Sequence, residues 1–130
     1  MPISFANIQK NSLYSRHTLA ELWGYCSFNA IARGVITPSE DNKVVLFVTE
    51  EKPAGAVPYQ DRLVGNILYW EGPNDHFAED RMLKAEQTGD EIHLFYRVRH
   101  RSDFTYVGRL ALTDKTLKSD APSSFVFSVI

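Results

Sequence analysis

Apolar residues recur along this chain in short runs with a period near two, separated by glycine, proline and polar turns, the pattern of a strand-rich fold. Residues 3–8 alternate (Ile3, Phe5, then Ile8) and predict an N-terminal strand. Ser15 then stands as an N-cap, and Leu19, Leu22 and Trp23 recur at helical spacing up to Gly24, so a short helix is expected. Residues 25–37 predict a strand with a bulge or close backbone approach at Gly34. Residues 43–49 form a continuous apolar run and predict a strand buried on both faces. Residues 50–62 carry Pro53, Gly55 and Pro58 and read as an exposed loop, of a length at which loops are more often functional than idle.

The second half repeats the theme. Residues 63–70 predict a strand interrupted at Gly65-Asn66, and residues 77–85 a second helix closed by Thr88-Gly89-Asp90. In residues 91–99, Ile92, Leu94 and Tyr96 face one way and His93, Phe95 and Arg97 the other. Residues 104–112, with Gly108 inside, make the partner strand of a hairpin, and Phe125, Phe127 and Val129 a last strand. The expected architecture is α+β and β-rich: a small, twisted, barrel-like sheet of six or seven strands with two short helices.

At 130 residues the whole chain, 1–130, is expected to be one domain, and 44% hydrophobic with 23% charged residues is ordinary for a globular protein. Sixteen aromatics (8 Phe, 6 Tyr, 2 Trp) suit a sheet-rich core. The lone Cys26 fits a reducing compartment and, with no basic neighbour, is expected to be buried. No charged-then-apolar leader and no apolar run near membrane length is present, so a cytoplasmic protein without membrane contact is expected. The net charge of −2 argues against a protein that simply coats nucleic acid. Charge is local instead: Arg97, Arg99, Arg101 and Arg109 stand against the single acid Asp103. Such a patch steers anions, although arginines on the wet face of a strand look the same.

Catalytic patterns are missing. There is no G-x-S-x-G turn, no P-loop and no dinucleotide fingerprint. His76 and Asp80 are four apart, but no C-x-x-C or H-E-x-x-H accompanies them, so neither a metal nor a cofactor is expected. No catalytic residue is assigned, and the chain is expected not to be an enzyme. The richest stretch is residues 68–82, where a strand ending in Tyr69-Trp70 breaks at Gly72-Pro73 and restarts as a helix. It gathers Glu71, Asn74, Asp75, His76, Glu79, Asp80 and Arg81. A solvated turn before an acidic helix start would also read this way. Tyr25, Tyr59, Trp70, Phe104 and Tyr106 lie beside Asp61, Arg62, Glu71, Asp75, Arg101 and Asp103. Ring faces next to carboxylates and arginines are what a planar polar ring requires: stacking, an acceptor for an exocyclic amine, and a cation for phosphate.

Several blocks carry a family resemblance: Leu13-Tyr14-Ser15-Arg16, Leu22-Trp23-Gly24-Tyr25, residues 32–38, Leu46-Phe47-Val48-Thr49, Tyr59-Gln60-Asp61, Leu68-Tyr69-Trp70-Glu71-Gly72, residues 89–97, and Phe104-Thr105-Tyr106-Val107-Gly108. In this order, over residues 13–112, they resemble a family once catalogued as a domain of unknown function. Its members look like C-terminal or accessory modules of bacterial helicase-nucleases and HNH restriction enzymes. The resemblance implies a fold similar to the SRA (SET- and RING-associated) or PUA-like domains. In such proteins the concave face of the sheet holds duplex DNA, and a modified cytosine such as 5-methylcytosine can be flipped into an aromatic pocket.

The implied function is non-catalytic recognition of modified double-stranded DNA for a restriction or defence nuclease. No HNH, phospholipase-like or helicase motif is present. Cleavage would therefore need a nuclease or helicase domain in the same chain or in a partner. Because SRA pockets use a ring pair and an acid, Trp70 with Tyr25 or Tyr59 are the ring candidates, and Asp61 or Asp75 the acid. Arg33, Arg81, Arg97 and Arg101 are candidates for phosphate or base contacts. Three other readings stay open: a small-molecule or modified-nucleotide binder, a metal-dependent nuclease or hydrolase built on Asp75, His76, Glu79 and Asp80, and a protein-interaction module.

Overall fold

The computed structural model describes residues 3–38, 41–51, 61–73 and 75–130. Among these, eight strands form one sheet. They are β1 (Leu13–Tyr14), β2 (Val35–Ile36), β3 (Lys43–Thr49), β4 (Arg62–Val64), β5 (Ile67–Glu71), β6 (Glu91–Arg97), β7 (Phe104–Thr116) and β8 (Ser124–Val129). The helices are α1 (Arg16–Leu22) and α2 (Glu79–Thr88), with a 3-10 turn at Phe28–Ile31. The order across the sheet is β2-β3-β6-β7-β8-β5-β4, with β1 added beside β7. All pairs are antiparallel except β3 with β6. That parallel pair needs a long crossover, which the β4–β5 hairpin and α2 supply.

Both faces of the sheet are covered. On β3, Val44, Leu46 and Val48 join a core with Leu68, Trp70, Met82, Ala85, Ile92, Leu94, Phe125 and Phe127. Val45 and Phe47 join a second core on the other face, with Ile3, Ile8, Leu19, Trp23, Ile31, Phe95, Phe104 and Tyr106. α2 therefore packs one face, and α1 with the N-terminal segment packs the other. The two-faced burial expected for residues 43–49 and the alternation expected for residues 91–99 are both present. Each fully buried ring such as Phe95 contributes about 1.5–3 kcal/mol relative to exposure.

Ser15 caps α1, its hydroxyl accepting from the Thr18 N–H. Gly108 has φ +131° and pairs with Leu94, where the β6–β7 register shifts. A side chain there would be strained and would meet Lys10 Cε at 2.6 Å, so glycine allows the bulge and the bend it brings.

The structure corrects three expectations. Residues 3–8 are not a strand: Ile8 N–H returns to the Phe5 carbonyl in a turn, and Ile3 N–H donates to the Asp41 carboxylate. Ile3 and Ile8 are buried as core plugs, which mimics strand alternation. Residues 25–37 hold the 3-10 turn, capped by Ser27, and form a strand only at Val35–Ile36. Cys26 lies just before that turn and is exposed, not buried. The expected α+β, β-rich architecture is present, its barrel-like sheet left open with β2 and β4 as its edges. The loop expected over residues 50–62 falls mainly outside the described residues.

Candidate functional site

Three strands separate β3 from β5 in the sheet order, yet residues from both ends of the sheet line one cavity. The sheet must therefore curl on itself to bring them together. The cavity has a volume of about 270 Å³ and is lined by Arg33, Gly34, Val35, Phe47, Thr49, Asp61, Trp70, Glu71, Gly72 and Pro73. Sites for drug-sized ligands run to about 300–1,000 Å³, so this one suits a single planar ring.

Two acids line it, Asp61 and Glu71, and of these Asp61 is buried, just before β4. Asp61 Oδ1 accepts the Glu71 N–H at 2.8 Å, which ties the two strands of the hairpin together and fixes the carboxylate on the wall. The charge of Asp61 contributes to holding the Tyr96 hydroxyl protonated. That phenol is pushed up to about 12, first by burial and then by its hydrogen bond to Glu50. Trp70 forms another wall and packs against Phe125 and Phe127, with ring centroids 5.6 and 6.2 Å away. It is 5% exposed, so it is as much a core ring as a ligand face. Gly72 continues the wall: a Cβ there would meet Phe125 Cε2 at 3.2 Å.

Arg33 stands at the rim. Its guanidinium lies 4.4 Å from the Phe77 ring centroid and pairs with Asp75 at 3.2 Å. The Asp75 carboxyl is held below the usual carboxylate range by the Phe77 N–H and by Arg33. The backbone between the two elements is strained, with positive φ at His76 and Ala78. It is pinned by the His76–Glu79 contact and by the bond from Ser123 Oγ to Glu79 Oε1 at 3.3 Å.

The sequence-derived candidates therefore separate into groups. Arg33, Asp61 and Trp70 share the cavity. Asp75 turns to Arg33, where its oxygens are occupied by that ion pair and by a backbone donor, so of the two acids proposed from sequence only Asp61 lines the cavity. Tyr25 lines an adjoining depression with Arg33, Val35 and Phe77, and burial followed by the charge of Asp41 pushes its phenol up. Arg81 lies along α2, bonded to Asp90 at 3.3 Å and to the Asp41 carbonyl at 3.1 Å, which makes it a brace. Arg97 and Arg101 line a separate cleft beside the cavity. Tyr59 lies outside the described residues.

Phe47 and Thr49 were not named as site candidates from sequence, whereas Glu71 was named in the polar cluster of residues 68–82. The signal available was positional: Thr49 ends β3, and its register partner is Arg97, which ends the parallel strand β6. Among the described residues, no three His, Cys, Asp or Glu side chains are arranged to hold a metal ion. Of the four residues in the nuclease reading, Asp75 is paired with Arg33 and His76 with Glu79. No helix among the described residues is long and apolar enough to cross a membrane.

No family model and no curated protein sequence matches the chain. Solved structures do match over its full length. The SRA domain of SUVH5, in complex with hemimethylated CG DNA, aligns with a TM-score of 0.66 at 10% identity, covering 100% of this chain and 94% of that one. The same domain with fully methylated CG DNA aligns with a TM-score of 0.63 at 10% identity, with the same coverage. The DNA modification-dependent restriction endonuclease AspBHI aligns with a TM-score of 0.63 at 11% identity, covering 100% of this chain and 80% of that one. At this identity the likeness establishes the fold: the chain has the SRA/PUA-like architecture.

Proposed function

We propose that this chain is a non-catalytic reader of modified duplex DNA, taking a flipped modified cytosine into the cavity between Trp70 and Phe47. The observation that carries this reading is Asp61. A buried carboxylate, fixed by the Glu71 N–H on the wall of a ring-sized cavity, can accept from the exocyclic amine of cytosine. Phe47 and Trp70 supply apolar walls, and Tyr59 is a further ring candidate on the same Tyr-Gln-Asp segment. Arg33 at the rim and Arg101 in the adjoining cleft would face the duplex. The shared fold with domains crystallised on methylated CG DNA supports the reading. Likeness to a modification-dependent restriction endonuclease supports a cytoplasmic defence setting. A nuclease or helicase domain, in this chain or a partner, would then do the cutting.

The test is binding of the chain to matched duplexes, unmodified or carrying 5-methylcytosine, 5-hydroxymethylcytosine or phosphorothioate, across a salt series. A preference for a modified cytosine that persists as salt rises is expected, because base contacts, unlike phosphate contacts, release few counterions. A fluorescent base analogue opposite the modified cytosine should brighten when its partner is extruded. Equal, salt-sensitive binding to all duplexes, or none to any, overturns the reading.

The net charge of −2 favours a second reading, a binder of free modified nucleotides. In that case the modified nucleoside monophosphate binds as tightly as the duplex does.

A further inference from the structure

Beside the cavity lies a cleft of about 300 Å³ lined by Ser15, Arg16, His17, Phe28, Arg97, Arg101, Ser102, Asp103 and Phe104. Two of its arginines are held in an unusual way. Arg16 donates through Nε to the Ile31 carbonyl at 3.1 Å and through Nη2 to the Arg33 carbonyl at 3.4 Å. Arg97 donates through Nε to Thr49 Oγ1 at 2.8 Å and through Nη1 to the Ser102 carbonyl at 2.9 Å. Both guanidinium carbons sit over the ring of Phe104, at 5.0 and 4.2 Å from its centroid, and Arg16 also lies 4.8 Å from the centre of Phe47. Among the described residues, no carboxylate forms an ion pair with either one. Surface arginines without a purpose extend into water. These two are fixed by neutral acceptors and stacked on rings, which leaves their charge uncompensated.

That arrangement has an electrostatic cost. Burial, with the charge of Arg97 adding to it, brings Arg16 down to about 10, and burial lowers Arg97 as well. Both stay cationic at neutral pH. An anion between them would relieve the repulsion and take up the free N–H donors in the fork geometry that phosphate favours. The cleft also holds Arg101 and one acid, Asp103, so its charged lining is net cationic.

The cleft and the cavity share a wall. Thr49, which receives the Arg97 bond, and Phe47, over which Arg16 sits, both line the cavity, as does Arg33, whose carbonyl receives Arg16. We infer that Arg16 and Arg97 form a seat for one backbone phosphate of the DNA strand whose base enters the neighbouring cavity. This inference rests on the modified-DNA reading above. It adds a residue, Arg16, and a division of labour: the cavity reads the base, and the arginine pair sets the register of the strand.

The experiment compares Arg16→Gln and Arg97→Gln with the native chain on modified and unmodified duplexes, from about 50 to 200 mM salt. Each substitution should lower the slope of log K against log salt by about one, weakening both duplexes by a similar factor and preserving their ratio. Because either variant could lose its fold with its ring contacts, the DNA is changed as well. Single neutral methylphosphonates are placed at each linkage flanking the modified base. One position should weaken binding by the native chain and have no further effect on Arg97→Gln.

If the native chain selects modified DNA yet tolerates every methylphosphonate, or if Arg97→Gln is as sensitive as the native chain, the phosphate seat is overturned while the reader stands. If the native chain binds no duplex, both are overturned.

Discussion

Replacing Asp61 with Asn tests the base-reading arrangement at its centre. The side chain keeps its shape, and an amide oxygen can still accept the Glu71 N–H that Oδ1 now takes at 2.8 Å. The hairpin is therefore expected to survive. What disappears is the charge and one acceptor. The Asn amide must either point its NH2 at the exocyclic amine of cytosine, donor against donor, or rotate its oxygen to the base and abandon Glu71. Both choices lose a hydrogen bond to a charged group in the cavity, a loss of about 1.5–3 kcal/mol. At about 1.4 kcal/mol per factor of ten, affinity for the modified duplex should fall about 10- to 150-fold. The salt slope should not change, because no phosphate contact is touched.

Fluorescence anisotropy on a labelled duplex measures both quantities, with a thermal melt to show that the variant is folded. The same bond can be cut from the DNA side by substituting a 5-methyl-2-pyrimidinone base, which lacks the amine. That base should weaken the native chain by a similar factor and have little further effect on Asp61→Asn, closing a double-mutant cycle. Additive losses within about 0.5 kcal/mol would mean that Asp61 and the amine do not meet, and the base-reading role would be refuted.

Three further outcomes are expected of the fold. His93 is buried between Glu91 and Tyr106 and stacked on Phe5 at 3.8 Å. A carboxylate only accepts, so Nε2 donates to Glu91 and Nδ1 takes the Tyr106 O–H. Burial lowers its basicity despite Glu91, so the folded chain binds a proton less readily than the unfolded one. Stability should therefore fall as pH drops below 6.5, the ordinary His value, and denaturant titrations of His93→Gln should show a flatter profile there. Ser15→Ala removes the bond to Thr18 N–H and should cost about 1 kcal/mol, read as a lower melting temperature with the sheet intact. Gly108→Ala places a side chain at φ +131° against Lys10, and should destabilise by about 1–3 kcal/mol in urea titrations. An unchanged midpoint there would mean that the bulge is not held by glycine.

Features governed by near neighbours were legible in the sequence. A cap bonds three residues ahead, so Ser15 announced α1. Alternation marks the two faces of a strand, so residues 43–49 and 91–99 declared themselves. The resemblance reached the SRA/PUA-like fold, and several of its blocks, among them residues 46–49, 68–72, 89–97 and 104–108, fall largely on strands of the sheet. The same local rules misread residues 3–8, where buried isoleucines on a turn imitate a strand, and placed Asp75 beside Asp61 as an equal candidate.

Only the tertiary structure separated those two acids. Asp75 is in reach of Arg33, which comes from a segment 42 residues away in sequence, and the ion pair occupies it. Likewise, nothing near Thr49 in sequence says that it will stand beside Arg97. That contact depends on β3 and β6 pairing in parallel after a crossover of more than forty residues. The cavity belongs to the curl of the sheet, which brings β3 and β5 together across three intervening strands. The chain could name the residue types a base reader requires. Which of them share a wall is set by strand order and curvature, and these are properties of the packed sheet rather than of any stretch within it.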